Sequence, residues 1–113
     1  MKYRSRKTVC NQLHTHASQK EARRCDELTI LEKTGIIKQL KQQPKFVLQE
    51  KFKLNGKTYR PITYMADFSY YDVEANKFIV EDVKGFKTKV YNLKKKMLLY
   101  IMRDRHDFNF IET

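Results

Sequence analysis

Asn55-Gly56 constrains the fold more than any other pair in the chain. Both residues tolerate the positive φ of a two-residue reverse turn, and apolar and β-forming residues flank them on either side. The chain must double back there, with one strand entering from Phe46 to Leu54 and its partner returning from Thr58 through Tyr70. A helix precedes this hairpin. Ser18-Gln19-Lys20-Glu21 has the form of a capping box, Ala22, Cys25, Leu28 and Leu31 recur at three-residue spacing, and Gly35 supplies a left-handed stop. A third strand is expected over Lys77 to Lys84, a second helix over Lys89 to Met102 and a closing strand over Phe108 to Ile111. In the second helix Val90, Leu93, Met97 and Ile101 form one apolar stripe. Helix, three strands, helix and strand predict an α/β fold in the broad sense, a mixed sheet with helices packed against it.

With 113 residues there is room for one domain burying about 65% of its extended-chain surface. Residues 18–113 form that domain, and residues 1–17 read as a basic arm carrying Lys2, Arg4, Arg6 and Lys7 without an acidic residue. Twenty-four Lys and Arg against thirteen Asp and Glu give a net charge of +11, while seven Tyr and seven Phe make the chain too apolar for a disordered polybasic tail. A folded domain so basic points first to nucleic acid, whose counterions are released on binding. Met97 to Met102, the longest apolar run, is too short to span a bilayer, and no apolar signal segment follows Met1, so a soluble, cytoplasmic protein without a membrane partner is expected. Cys10 and Cys25, with His14 and His16 between them, match no common zinc spacing. Cys25 falls on the apolar side of the first helix and reads as a core residue.

The chemistry concentrates around Val80-Glu81-Asp82-Val83-Lys84-Gly85, with Asp67 upstream in Tyr64-Met65-Ala66-Asp67-Phe68. On an extended strand Asp82 and Lys84 share one face with Phe78 and Val80, while Glu81 shares the other with Ile79 and Val83. A bulge would exchange Glu81 and Asp82. If Asp67 lies on the neighbouring strand, two carboxylates come together and repel unless a cation sits between them, for which a hard divalent ion is suited. Glu21 carries two readings: the acidic member of a capping box, or a third carboxylate aimed at the same sheet end. Lys84 is either a solvated lysine or the group that offsets charge on a phosphate. Together Glu21, Asp67, Asp82 and Lys84 suit metal-assisted hydrolysis of a phosphodiester, the three carboxylates holding Mg2+ or Mn2+.

Four segments in order, Ser18 to Arg24 (Ser-x-x-Glu-Ala-Arg-Arg), Gln43 to Phe46, Tyr59 to Phe68 and Val80 to Thr88, resemble a small phage endonuclease-like family. That family belongs to the PD-(D/E)XK nuclease superfamily and is described as similar to Holliday junction resolvases. The resemblance runs from Ser18 to the C-terminus. It implies a restriction-endonuclease-like αβββαβ core, Mg2+ or Mn2+, and Glu21, Asp67, Asp82 and Lys84 as the catalytic set. Ala66 stands where the superfamily's name has proline, and His14-Thr15-His16 stands where a glycine and an aromatic are expected.

Basic residues then run from Lys84 through Lys87, Lys89, Lys94, Lys95, Lys96 and Arg103 to Arg105, with Asp104 as the single acid. As a group they make a phosphate track, with about six contacts giving a log affinity against log salt slope of about −5. Arg4, Arg6, Lys7, Lys87, Lys89, Tyr91, Lys94 and Lys95 are the candidate nucleic-acid contacts. The expected function is therefore a metal-dependent DNA endonuclease acting on branched DNA, in the bacterial host cytoplasm if phage-encoded. The alternative is a nucleic-acid-binding protein without catalysis. Two cuts by so small a domain need two copies, which suggests a homodimer.

Overall fold

The computed structural model describes residues 8–9, 15–16, 18–83 and 87–113. Two short antiparallel strands, β1 (Thr8–Val9) and β2 (Thr15–His16), precede helix α1 (Gln19–Lys33). The remainder of the expected arm, including Arg4, Arg6, Lys7 and Cys10, lies outside the described residues. Ser18 caps α1 as expected, its Oγ accepting the Glu21 N–H at 3.1 Å, and Gly35 follows the helix with φ +83°. Ala22, Cys25 and Leu28 are the buried apolar residues of α1, three residues apart.

Eight strands and one helix follow: β3 (Ile37–Gln42), β4 (Lys45–Gln49), β5 (Phe52–Leu54), β6 (Lys57–Tyr59), β7 (Ile62–Met65), β8 (Phe68–Asp72), β9 (Lys77–Asp82), α2 (Lys89–Met102) and β10 (Phe108–Glu112). The central sheet has the order β10-β9-β8-β3. β10 runs parallel to β9 and the other pairs are antiparallel, so the sheet is mixed. Following α1, the central elements succeed one another as β3, β8, β9, α2 and β10; the succession of element types is the expected one, but its first strand is β3, and the expected Phe46 to Leu54 lies outside the central sheet. The fold is α/β in that broad sense.

The hairpin at Asn55-Gly56 forms, both residues having positive φ (51° and 77°), but the strands beside it are shorter than expected. The run Phe46 to Leu54 divides into β4 and β5, and the run Thr58 to Tyr70 divides into β6, β7 and β8. Pro61, which has no N–H for a ladder, separates β6 from β7. Asp67 separates β7 from β8, because its N–H is drawn to the Asp82 side chain. The first strand of the central sheet is β3, which carries only two apolar residues, Ile37 and Leu40. Gln39, at φ 58°, lies where the register with β8 shifts, between Lys38 and Lys41, and this erases the alternation by which the strand could have been read.

The two faces of the sheet carry separate cores. On one, α1 covers Phe68, Tyr70, Ile79 and Val83; on the other, Val80, Tyr64 and Ala66 pack with Leu98 of α2, bordered by Phe78, Phe108 and Phe110. The stripe expected to seat α2 does not seat it. Leu98 is its buried residue, with Tyr91 and Met102 beside it, while Val90, Leu93 and Ile101 are exposed. Both sets have helical spacing, and periodicity alone does not say which one meets the sheet. Among the described residues no helix is long and apolar enough to cross a membrane.

Candidate active site

Asp67 is tied to the end of β9 at two points. The Asp67 N–H donates to Asp82 Oδ1 at 2.9 Å, and the Val83 N–H donates to Asp67 Oδ2 at 2.7 Å. The Asp67 carbonyl accepts the Gln43 N–H at 2.9 Å, so the backbone on both sides of this carboxylate is fixed. The clasp sits at the end of β9, where Asp82 is completely buried. Alternation along β9 places Asp82 with Val80 and Phe78 on the α2 face and Glu81 with Ile79 on the α1 face, as the strand reading required, and no bulge exchanges them.

Glu21 is buried in the first turn of α1, on the helix that packs against the opposite face from Asp82. Among the described residues no three His, Cys, Asp or Glu side chains gather closely enough to hold a metal ion, so Glu21 does not complete a three-carboxylate group with Asp67 and Asp82. Lys84 lies outside the described residues, two positions beyond Asp82.

Glu81 has a different environment. Arg24 grips it in a two-point pair, Nε to Oε2 at 2.5 Å and Nη2 to Oε1 at 3.0 Å, while the Tyr70 hydroxyl donates at 2.7 Å and Thr113 Oγ1 at 3.1 Å. The hydrogen bond to Glu81 is the main reason that the Arg24 guanidinium holds its proton above its ordinary value. Burial, followed by the bond to Glu81, pushes the Tyr70 hydroxyl well above its ordinary range. A buried carboxylate with a guanidinium and two hydroxyl donors is a closed structural pair.

A second acid on the Asp82 face went unnoticed in the sequence. Glu112 is the register neighbour of Asp82 on the parallel strand β10, and it accepts the Tyr91 hydroxyl at 2.5 Å, Lys87 at 3.1 Å and Lys95 at 3.2 Å. Chiefly through the Tyr91 bond, its carboxyl is lowered from 4.5 to about 2. The Tyr91 hydroxyl is raised by burial, by Glu112 and by the charge of Asp82. The alternation Phe108, Phe110, Glu112 was the available signal, since it carries an acid to the end of an apolar strand face.

These contacts redistribute the expected nucleic-acid residues. Tyr91, Lys87 and Lys95 are bound to Glu112, and Lys95 also lies over the Phe110 ring, 5.0 Å from its centroid. Lys94 is half-buried and Lys89 is exposed. On the α1 side a cleft of about 270 Å3 is lined by Lys20, Arg23, Arg24, Glu27, Val83 and Thr113. It opens beside the last described residue before Lys84 and gathers three cations that sequence reading left unassigned.

No curated protein and no solved structure matches the chain. A buried acidic clasp at the end of a mixed sheet, in a strongly basic domain, is thus what this molecule offers as evidence of its chemistry. A family model described as "Protein of unknown function (DUF1064)" matches residues 1–111, nearly the whole length, and the chain belongs to that family.

Proposed function

We propose that this protein is a DNA endonuclease that hydrolyses phosphodiester bonds with a divalent metal, of the PD-(D/E)XK type and of phage or prophage origin, acting on branched DNA. The observation that carries the reading is the clasp that joins Asp67 to the strand end at Asp82 and Val83. Two like charges fixed side by side by backbone N–H groups favour a cation beside them. The donor set fits Mg2+ or Mn2+, because a small hard cation is held by one or two carboxylates and takes its remaining ligands from water and substrate phosphate. Such an ion supplies charge that polarises a phosphate and acidifies a water.

The chain's own residues divide the remaining work. Asp67 and Asp82 would hold the ion; one oxygen of each carboxylate is already engaged, Asp82 Oδ1 by the Asp67 N–H and Asp67 Oδ2 by the Val83 N–H. Lys84, two residues beyond Asp82, offsets charge on the phosphate. Lys20 and Arg23 on the α1 side, with Lys89 on α2, draw the DNA backbone to the sheet end. Glu21 remains the acid nearest to a role by sequence, but two carboxylates suffice without it.

The test is a panel of single-stranded, duplex and four-way-junction DNA incubated with protein and either Mg2+ or Mn2+. Cutting is expected, with Asp82→Asn abolishing it while binding persists. Wild-type protein that binds every substrate and cuts none overturns the reading in favour of a binding protein on the same scaffold. That second reading has its own support in the lack of a three-ligand metal group among the described residues.

A further inference from the structure

Among the described residues no other helix or strand covers the outward stripe of α2, although the Arg103 guanidinium lies over the Tyr100 ring, 3.9 Å from its centroid. Val90 is 61% exposed, Leu93 59%, Tyr100 65% and Ile101 46%, on a helix whose other side is already seated on the sheet by Leu98 and Met102. Val90, Leu93, Met97 and Tyr100 follow one another at alternating intervals of three and four, the spacing with which one helix packs against another. Beside them a groove of about 420 Å3, lined by Leu48, Leu93, Lys96, Met97, Tyr100 and Ile101, runs between α2 and β4. Lys96 is its single charged residue. A row of apolar knobs next to an apolar groove on one helix is complementary to itself.

We infer that this face of α2 is a two-fold interface that receives α2 of a second copy of this chain in antiparallel orientation. The axis passes between Leu93 and Tyr100, so that each of the two meets the other across it. With that axis Lys89, at one end, faces Asp104 of the second copy, and the same pair repeats at the other end. Antiparallel helices also set their dipoles in opposition. A parallel pair would set Lys89 against Lys89 and Asp104 against Asp104. α2 is about 21 Å long, so the contact lies at the small end of stable interfaces and a dissociation constant in the micromolar range is expected. Lys96 and Arg103 border the stripe on both copies and repel across it. Association is therefore expected to tighten as salt rises, opposite to the salt response of DNA binding. The inference is independent of the hydrolase reading.

Sedimentation velocity of the full chain without DNA, from about 1 to about 300 μM and at low and high salt, tests it. A monomer–dimer equilibrium that strengthens several-fold in high salt is expected. Leu93→Glu and, separately, Val90→Lys should each weaken it at least about tenfold, with circular dichroism showing that the helix is retained. In a Cys10→Ser background, Lys89→Cys mixed with Asp104→Cys should form crosslinks between the two variants. Protein monomeric throughout, a dimer indifferent to both stripe substitutions, or crosslinks only within one variant overturns the inference. Monomer that instead floats with anionic vesicles overturns it in favour of a lipid surface.

Discussion

Glu81 and Asp82 are consecutive on β9 and equally buried, yet the protein treats them in opposite ways. Glu81 faces α1 and is neutralised by Arg24, with hydroxyls from Tyr70 and Thr113 completing its shell. Asp82 faces α2, where the Asp67 N–H donates to its Oδ1, the Tyr91 hydroxyl lies close by, and the acid Glu112 is its neighbour across the parallel strand. Burying a carboxylate is costly unless a charge or a dense set of donors answers it. On the α1 face a guanidinium and two hydroxyls supply that answer; on the α2 face two acids, Asp82 and Glu112, are register neighbours. The first arrangement serves the fold; the second is the one that the proposed metal chemistry would use.

The sharpest way to break this contrast is to neutralise each acid in turn. Asp82→Asn should lower DNA cutting about a thousandfold or more while leaving stability within about 1 kcal/mol of the parent, because it relieves repulsion among acids. Cleavage kinetics and urea melts of the same sample read both quantities. Arg24→Met should do the reverse. It leaves Glu81 buried without its cation, at a cost of about 3–5 kcal/mol, and lowers the melting temperature by about 15 °C. Replacing both partners, Arg24→Met with Glu81→Leu, should recover most of that loss. If the double variant is as unstable as the single one, the pair is more than a closed structural unit.

Much of this was legible beforehand where local chemistry decides the outcome. The Ser18 cap, the Gly35 stop, the Asn55-Gly56 turn and the span of α2 all follow from contacts within a few residues, and all form. The face assignment of Asp82 followed from alternation alone, and Cys25 is a core residue whose thiol points to Gln42 Oε1 at 3.6 Å. What stayed hidden depends on distant partners. β3 has too few apolar residues and a register shift, so its identity comes from pairing with β8. Arg24 looked like one basic residue among 24 until Glu81, fifty-seven positions away, was placed beside it. α2 has two apolar stripes, and the one that is buried packs on Tyr64, Ala66 and Val80, which come from distant strands.

Acid provides a weaker probe of the Asp82 face. The Glu112 carboxyl titrates near 2 in the folded chain against an ordinary 4.5, so folding favours its ionised form. The stability it contributes is complete above about pH 4.5 and drains away as pH falls from there towards 2. Glu112→Gln should cost about 2 kcal/mol at neutral pH and should flatten the acid limb of a urea-melt series between those values. An unchanged acid limb would detach Glu112 from the energetics of this face.

The finest comparison pairs two tyrosines, each donating to a buried-face glutamate from opposite sides of the sheet. The Tyr91 hydroxyl is the first cause of Glu112's lowered carboxyl, so Tyr91→Phe should let that carboxyl climb towards its ordinary value and move acid unfolding to higher pH. Tyr70 is one donor among several on Glu81, where Arg24 supplies the charge. Tyr70→Phe should therefore cost about 1 kcal/mol at every pH and leave the acid midpoint where it was, apart from the uniform loss. Parallel acid titrations followed by circular dichroism separate the two. If both variants shift the midpoint alike, Tyr91 has no special hold on Glu112, and the difference between the faces reduces to the Arg24 ion pair.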